Sequence, residues 1–309
     1  MELFAPDYYK DFQCIADKCR HSCCIGWEID IDSDTYKYYK SIGGNFGERL
    51  KDNIAIADST AHFTLSADGR CPFLAKSGLC DIISTLGEGA LCQICADHPR
   101  YRNFFDTRTE IGLGLCCEEV CRLILTKKTK TVLCKIQADN LCDENEEGAF
   151  FAFRKKITDI LQDRKSDVDT RIDYVLDFCE IKLPEKSLSQ WKKIFLKLER
   201  LNEEWTACLE LLDFAPESAT LEFETAFEQL IVYFIHRHLA DGIWDMRINE
   251  RILFCILSTK IIKAICGAYY HKHGVFELEN LLEIARLYSS EIEYCEENIE
   301  TLLNELTIT

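Results

Sequence analysis

The sequence has few residues that interrupt helices and no long apolar run. Among its 309 residues are only five prolines and 14 glycines. These two residues disfavour helix interiors most, so their scarcity excludes a low-complexity or collagen-like chain and favours long helices. No run of about 18 apolar residues appears, and the sequence therefore predicts no transmembrane helix. A hydrophobic content of 47% with 29% charged residues is typical of a globular protein.

Basic residues are scarce relative to acidic ones. The chain has 36 Lys and Arg against 53 Asp and Glu, which gives a formal net charge of −17. An acidic surface repels nucleic-acid phosphates, so nucleic-acid binding is not expected. The same charge suits a basic partner such as a lysine-bearing protein, although solubility alone explains an acidic surface equally well.

Residues 1–12 lack the pattern of a secretory signal. They carry Glu2, Asp7 and Asp11, and no basic start precedes an apolar stretch. We therefore expect no signal peptide, no membrane association and a cytoplasmic location, where reducing conditions make disulfides rare. A cysteine-rich segment in that setting is more often a metal site than a disulfide framework. The sequence leaves the oligomeric state open, with a monomer favoured.

Cysteines are the most informative residues of the chain. Eleven of the 18 lie in clusters with short gaps, namely Cys14, Cys19, Cys23, Cys24, Cys71, Cys80, Cys92, Cys95, Cys116, Cys117 and Cys121. Such spacing lets thiolates converge on one point, which indicates a metal or iron–sulfur site. A disulfide framework, buried structural thiols and chance are the alternatives. The isolated cysteines at 179, 208, 255, 266 and 295 are interpreted as ordinary core thiols.

The spacing favours an iron–sulfur cluster over zinc. Cys92 and Cys95 form a Cys-x-x-Cys pair whose sulfurs can reach one ion, and Cys19 and Cys23 can do so from a helical turn. Cys24 directly follows Cys23, so the two cannot easily bind the same small ion. A zinc ribbon needs two matched Cys-x-x-Cys pairs, whereas a [4Fe–4S] cluster needs about four thiolates and tolerates wide gaps. The Cys-x3-Cys-x2-Cys signature of radical enzymes is absent.

Hydrophobic periodicity predicts a mainly α protein in two parts. A cysteine-rich, irregular region with short helices and minor strand covers 1–145, and a helical domain covers 146–309, with the link near 143–148. In the first part we expect a helical turn within 19–27, a capped helix at 35–42, a hairpin within 54–66, and short helices at 81–86 and 89–96. In the second part helices are predicted at 150–163, 169–180, 187–212, 221–239, 246–271 and 277–306.

The cysteines and their neighbours form a pattern that resembles a known family. The pattern runs Cys14-x4-Cys19-x3-Cys23-Cys24-x-Gly26-Trp27, Asp32, Cys71-Pro72-Phe73-Leu74, Leu79-Cys80, Leu86-Gly87, Leu91-Cys92-x2-Cys95, Pro99-Arg100 and Cys117-Glu118-Glu119-Val120. Over about residues 6–125 it resembles the flagellin lysine-N-methylase family, and more distantly the zinc- or iron-chelating cysteine-cluster family. It departs from that pattern at Cys116, Glu118 and Cys121, where a serine, a proline and a small residue are expected.

The resemblance implies an activity, a cofactor and a set of candidate ligands. The family transfers methyl groups from S-adenosylmethionine to surface lysines of flagellin, in the cytoplasm before export, and carries a [4Fe–4S] cluster. The family's cysteine positions correspond here to Cys14, Cys19, Cys23, Cys24, Cys71, Cys80, Cys92, Cys95 and Cys117. Which four of these hold the cluster is left open.

Lysine methylation requires a neutral amine and a bound methyl donor, and the sequence does not show which residues provide either. A lysine near its reference pKa of about 10.4 is neutral in roughly one molecule per thousand at pH 7, so the enzyme must desolvate it or offer a base. No glycine-rich loop follows a strand, which argues against a Rossmann-type donor site and leaves the donor-binding and catalytic residues unassigned. Polar and aromatic residues beside the cysteines either orient substrate or simply pack, namely Trp27, Asp97, His98, Arg100 and Glu118.

Two rival functions and several structural interpretations accompany this hypothesis. The rivals are a non-catalytic zinc or iron–sulfur protein, such as a metal carrier or electron-transfer module, and a thiol-rich structural protein without metal. The pairs His236/His238 and His271/His273 are interpreted as helix-surface or helix-end residues, because i and i+2 face apart on a helix. The aromatic residues at 191, 195, 205 and 214 are interpreted as core.

Overall fold

The computed structural model describes residues 2–136, 148–214 and 223–307. The chain divides into two compact units, one formed by Gln13–Arg100 and one by Met1–Phe12 together with Tyr101–Thr309. We call them the thiol unit and the helical unit. The boundary predicted near 143–148 falls almost entirely outside the described residues and stays a prediction.

Helices dominate the described residues, which confirms the mainly α prediction. The strands are β1 (Glu2–Pro6), β2 (Asp30–Ile31), β3 (Ile54–Ala57), β4 (Thr60–Phe63), β5 (Arg100–Phe104), β6 (Arg108–Leu113) and β7 (Leu133–Lys135). The α-helices are α1 (Ser33–Ser41), α2 (Gly44–Asp52), α3 (Asp81–Leu86), α4 (Gln93–Asp97), α5 (Glu118–Leu125), α6 (Ala149–Leu161), α7 (Val168–Cys179), α8 (Leu188–Phe195), α9 (Glu203–Glu210), α10 (Glu224–His238), α11 (Ile248–His273), α12 (Leu278–Tyr288) and α13 (Glu296–Leu306).

The thiol unit packs four short helices and a three-stranded antiparallel sheet of order β2-β4-β3 around a small aromatic core. Phe63 and Phe73 meet there with ring centroids 5.0 Å apart. Asp32 joins two helix starts, because its carboxylate accepts from the backbone N–H of Thr35 in α1 and of Gln93 in α4, each at 2.9 Å. Asp32 rather than Ser33 or Asp34 therefore caps α1.

The helical unit joins a mixed sheet to a helical core. The sheet has the order β5-β6-β1-β7, with β1 parallel to β6 and antiparallel to β7. Helix α10 lies at the centre, and every residue from 226 to 238 is buried. A helix buried on all sides has no solvent face for its polar residues, so their partners must come from neighbouring elements.

Two long helices predicted from periodicity are each interrupted in the structure. The 187–212 segment forms α8 and α9, because tertiary contacts satisfy the backbone between them. The Glu291 carboxylate accepts from the Leu201 N–H at 2.7 Å, and the side-chain Oδ1 of Asn298 accepts from the Glu199 N–H at 2.9 Å. The 277–306 segment forms α12 and α13, separated by a π-helical turn at Ser289–Glu293. Such turns are rare and often lie at functional sites.

Three smaller predictions also differ from the structure. The helical turn expected within 19–27 is absent, since Ile25 pairs with Arg70 in an isolated β-bridge and Gly26 has φ +90°. A second helix, α2, begins at Gly44, where the sequence predicted no helix, and the positive φ of its first residue is one that glycine tolerates. Phe214, interpreted as core, is 49% exposed.

Helix α11 is the one span of the described residues that is long and apolar enough to cross a membrane by length and composition. The sequence predicted no such segment, because polar residues interrupt its apolar runs. In the structure, 78% of its most apolar window is buried inside the protein. That degree of burial is what the core helix of a globular domain shows.

Candidate functional site

The structure places the nine predicted cysteine ligands in two different units. Eight lie in the thiol unit, and Cys117 lies in the helical unit at the residue before α5. Within the thiol unit Cys14 and Cys23 are exposed, whereas Cys71 and Cys92 are buried. The Cys19 thiol donates to the His21 carbonyl at 3.2 Å.

Five of the eight thiols share one core. They are Cys24, Cys71, Cys80, Cys92 and Cys95, and they pack with Tyr39, Phe63 and Phe73. Backbone pairing brings them together: the Cys71 N–H donates to the Cys24 carbonyl at 2.8 Å, and Cys80 forms a β-bridge with Leu74. Cys92 is the N-cap residue of α4 and Cys95 lies inside that helix.

The electrostatics of this core disfavour several thiolates at once. Burial, with a smaller contribution from the neighbouring Cys24, Cys80 and Cys92, raises the pKa of Cys71 to about 12. The Cys92 and Cys95 thiols are hydrogen-bonded to each other, which lowers the pKa of Cys92 and raises that of Cys95. Thiolates that repel one another in a desolvated core require a nearby cation to become charged together.

These five cysteines fit a thiolate-bound cofactor in type and number. Among the described residues no three His, Cys, Asp or Glu side chains form a group that could hold a single metal ion. A four-iron cluster spreads its thiolates over separate corners, so its ligands stand farther apart than those of one ion. The assignment of ligands stays a prediction.

The residues that flank the thiols form an aromatic contact. The Trp27 Nε1–H donates to the Cys23 carbonyl at 2.6 Å, and the Trp27 and His98 rings lie 6.0 Å apart. Burial, with a contribution from Arg100, lowers the pKa of His98 to about 4, so this imidazole is neutral at neutral pH. Glu118, which directly follows the predicted ligand Cys117, is the first residue of α5 in the helical unit.

A second polar cluster, which the sequence did not predict, lies buried in the helical unit. Glu293, the last residue of the π-helical turn, accepts from the Tyr233 hydroxyl at 3.0 Å and from Arg237 Nε at 3.1 Å. Its Oε1 also lies 2.6 Å from His238 Nε2. Burial alone would raise the pKa of Glu293, but Arg237 and His238 outweigh it and hold that pKa below its usual range.

The cluster also fixes the segment that leads into α5. The Leu115 N–H donates to the Tyr233 hydroxyl at 3.2 Å. The Tyr294 hydroxyl accepts from Arg237 Nη1 at 3.3 Å and is hydrogen-bonded to the Cys116 thiol. We call Tyr233, Arg237, His238 and Glu293 the Glu293 network.

The structure confirms the helix-end position of both histidine pairs and corrects the surface position of one. His236 and His238 lie in the last turn of α10, but they are 7% and 3% exposed, so neither is a helix-surface residue. His271 and His273 are exposed in the last turn of α11, as expected. The sequence does contain a signal for the burial of His236 and His238. The apolar residues that precede them leave α10 without a hydrophilic face on which they would be exposed.

Comparisons with known proteins place the chain in a family. The model of the FliB lysine N-methylase C-terminal domain matches residues 182–308. The flagellar biosynthetic protein FliU of Salmonella muenchen is 32% identical over 126 residues, which cover 39% of this chain and 75% of that protein. The lysine-N-methylases of Salmonella choleraesuis and Salmonella typhimurium are each 31% identical over 126 residues, again 39% of this chain. No solved structure matches.

These alignments cover only part of this chain and only part of each relative. The chain spans three quarters of FliU but only 31% of the two lysine-N-methylases. The match to residues 182–308 contains Glu293 and most of its partners, whereas the cysteine pattern lies outside that range. The C-terminal match, together with the coverage of FliU, shows that the chain belongs to the FliB lysine N-methylase family.

Proposed function

We propose that this protein is an S-adenosylmethionine-dependent protein-lysine N-methyltransferase that methylates flagellin in the cytoplasm. We propose further that four of Cys24, Cys71, Cys80, Cys92 and Cys95 hold a [4Fe–4S] cluster. The observation that carries the activity is membership of a lysine N-methylase family. The shared five-thiol core supports the cofactor.

The chemistry requires a neutral lysine and an aligned methyl donor. The lysine nitrogen forms a bond to the methyl carbon while the sulfonium–methyl bond breaks, and a proton leaves the amine. Desolvation of the lysine supplies the neutral form, and alignment supplies much of the rate. An iron–sulfur cluster, when bound, would supply either a rigid scaffold or an open iron to which the donor coordinates.

The protein's own residues hold the thiol core in place. Asp32 connects the starts of α1 and α4, and α4 carries Cys95 in its first turn, after the N-cap Cys92. The buried Tyr39 hydroxyl donates to the Ala90 carbonyl at 2.6 Å, two residues before Cys92. These contacts fix the backbone on which two of the proposed ligands lie, so the ligands need little rearrangement on binding.

A second candidate is a non-catalytic zinc or iron–sulfur protein. The observation that favours it is that all five thiols lie in the unit Gln13–Arg100, which the lysine N-methylase domain match does not include. A unit with its own core and its own thiols can bind metal without any part in methyl transfer.

Two measurements on the full chain separate the candidates. Protein purified without oxygen is assayed for iron, zinc and acid-labile sulfide, and is then incubated with purified flagellin and isotope-labelled S-adenosylmethionine. We expect about four irons with matching sulfide per chain, and labelled lysines in flagellin by mass spectrometry. Metal with no transfer of label would favour the carrier, and stoichiometric zinc without sulfide would exclude the proposed cluster.

A further inference from the structure

Tyr294 is held in an unusual way for a surface residue. Its side chain is 50% exposed, yet its hydroxyl is bonded inward to Cys116 and Arg237. The Arg237 guanidinium lies between two rings, 4.6 Å from the centroid of Tyr294 and 5.1 Å from that of Tyr101. The inner side of the Tyr294 ring is therefore fixed while much of its outer side meets solvent.

The anchor behind this ring is a fully paired buried network. Arg237 Nη1 donates to the Tyr233 hydroxyl at 2.9 Å and its Nη2 donates to the Glu293 carbonyl at 3.3 Å. Arg237, Tyr233 and Glu293 are each at most 8% exposed, so a protein substrate cannot touch them directly. The network can therefore influence a bound protein only through Tyr294 or through the Leu115–Cys116 segment, both of which it holds in place.

We propose that the outer side of Tyr294 is a contact for the lysine-bearing protein substrate, and that Glu293, Arg237 and Tyr233 are the positioning residues that hold it. This inference rests on the proposed function and adds a substrate contact to it. The ring is amphipathic and rigid, which is why tyrosines are frequent at the energetic centres of protein interfaces. Its exposed side offers an apolar surface to the methylene stem of a lysine.

Exposure favours the protein substrate over the methyl donor as the occupant. Small-molecule sites bury most of the ligand and enclose it in concave walls, whereas a docking protein covers residues that are open to solvent when it is absent. Tyr294 is half open to solvent. The formal charge of −17 adds a long-range attraction for a lysine-rich surface.

The first test compares two tyrosines of equal exposure in the holoprotein. Tyr294→Ala removes the proposed contact, and Tyr174→Ala removes a ring on α7 that is 52% exposed in the same unit. We expect Tyr294→Ala to raise the KM for flagellin about tenfold and to leave the KM for S-adenosylmethionine within about twofold. Tyr174→Ala should change neither value. An unchanged flagellin KM in Tyr294→Ala would overturn the inference.

The second test separates positioning from general stability. Glu293→Gln removes the negative charge of the Glu293 network. Glu228→Gln removes the charge of another buried carboxylate in the helical unit, which pairs with Arg171 and Arg164. Both variants should lower the melting temperature. Of these two variants, only Glu293→Gln should raise the KM for flagellin. Tyr294→Phe, which keeps the ring, should raise this KM less than Tyr294→Ala does. An equal rise in Glu228→Gln would show that the network acts through stability alone.

Direct binding distinguishes a failure of this inference from a failure of the proposed function. Immobilised flagellin is titrated with the wild-type protein and the variants without methyl donor. If wild type binds but transfers no methyl group, the methyltransferase proposal fails, while a Kd about tenfold weaker in Tyr294→Ala still supports the contact. Absence of binding by wild type, or equal Kd values for the variant and wild type, overturns the contact.

Discussion

The two units handle buried charge in opposite ways. Apart from tyrosines and cysteines, every buried polar or charged side chain in the part of the chain that the structure describes lies in the helical unit, from Asn103 to Asn298. There the buried carboxylates of Glu110, Glu228 and Glu293 face arginines, as in Glu228 with Arg171 at 2.7 Å. The buried Glu291 accepts instead from the Leu201 N–H. The thiol unit instead gathers five thiols, which can become negative but never positive.

This difference teaches which unit depends on something from outside. A buried ion pair compensates its own desolvation at least in part, because each charge lies in the field of its partner. Five thiols in one core have no such partner among themselves, and each negative charge raises the pKa of the others, as it does for Cys71. We infer that the helical unit compensates most of its buried charges within itself. In the thiol core a hydrogen bond with Cys23 lowers the pKa of Cys24 to about 7, so a bound cation is needed only to charge several of the five cysteines together.

The largest expected effect follows from removing one thiol of that core. Cys92→Ala or Cys95→Ala should lose the cluster and lower flagellin methylation by on the order of a hundredfold or more. Removing a ligand should reduce metal affinity and activity more than removing a residue that only orients a ligand. Iron and sulfide per chain and the initial methylation rate are the measurements. Full activity after loss of the iron would remove any catalytic or scaffolding role from the cluster.

A matched control for this prediction lies in the helical unit. Cys266 is a fully buried thiol in α11 that is packed only as part of an apolar core. Cys266→Ala should lower stability by about 1 to 2 kcal/mol through a small cavity and keep the iron content of wild type. If Cys266→Ala lost its iron as well, the loss in Cys92→Ala would reflect general destabilisation.

Removal of the metal should affect the two units unequally. A metal site absent from the unfolded state contributes its binding energy to folding, so chelation should loosen the unit that holds it. We expect amide hydrogen exchange to accelerate in α1 to α4 after anaerobic iron removal and to change little in α10 and α11. Equal acceleration in both units would contradict the proposed dependence of the thiol unit alone.

Local features of the thiol unit could be predicted from the sequence. The short helix at 81–86 ends at Gly87, as expected, because φ +89° at that residue suits glycine. The Cys-x-x-Cys spacing correctly placed Cys92 and Cys95 side by side. Turn residues and short spacings act over a few positions, so sequence patterns capture them.

Long-range features could not be predicted in the same way. The Tyr233 hydroxyl meets Glu293 from 60 residues away, and β1 pairs in parallel with β6 from the far end of a long connection. Nothing in the local composition of α10 specifies which segment supplies the partner of a buried arginine. The five-thiol subset likewise emerges only once backbone pairing joins Cys24 to Cys71.

Removing one partner of a buried ion pair should show how much such pairs stabilise the helical unit. Arg171→Met leaves the fully buried Glu228 with only the partly exposed Arg164. We expect a loss of about 3 kcal/mol in the free energy of unfolding, measured with urea, because a buried charge loses its buried partner. The exposed pair Lys165–Asp163 is the control, and Lys165→Ala should cost less than about 0.5 kcal/mol. Similar losses in both variants would contradict the comparison.

The smallest expected effect is a pH dependence of the helical unit. Burial and the neighbouring Arg154 lower the pKa of His236 to about 3, with Glu110 opposing and Arg108 adding to the shift. Between that value and the ordinary pKa of about 6.5 the unfolded chain binds one more proton than the folded protein, so stability falls as pH falls through this window. Above about 6.5 the contribution of the neutral ring is complete.

Replacing this histidine should therefore flatten the acid side of the stability curve. His236→Gln should reduce the change in unfolding free energy between pH 6 and pH 5 by roughly 1 kcal/mol, measured by urea denaturation at both values. His271→Gln, at an exposed position in the last turn of α11, should keep the wild-type slope. An unchanged slope in His236→Gln would mean that the ring accepts a proton inside the folded core, beside Arg108 and Arg154. The helical unit would then tolerate an unpaired buried charge, and its contrast with the thiol unit would weaken.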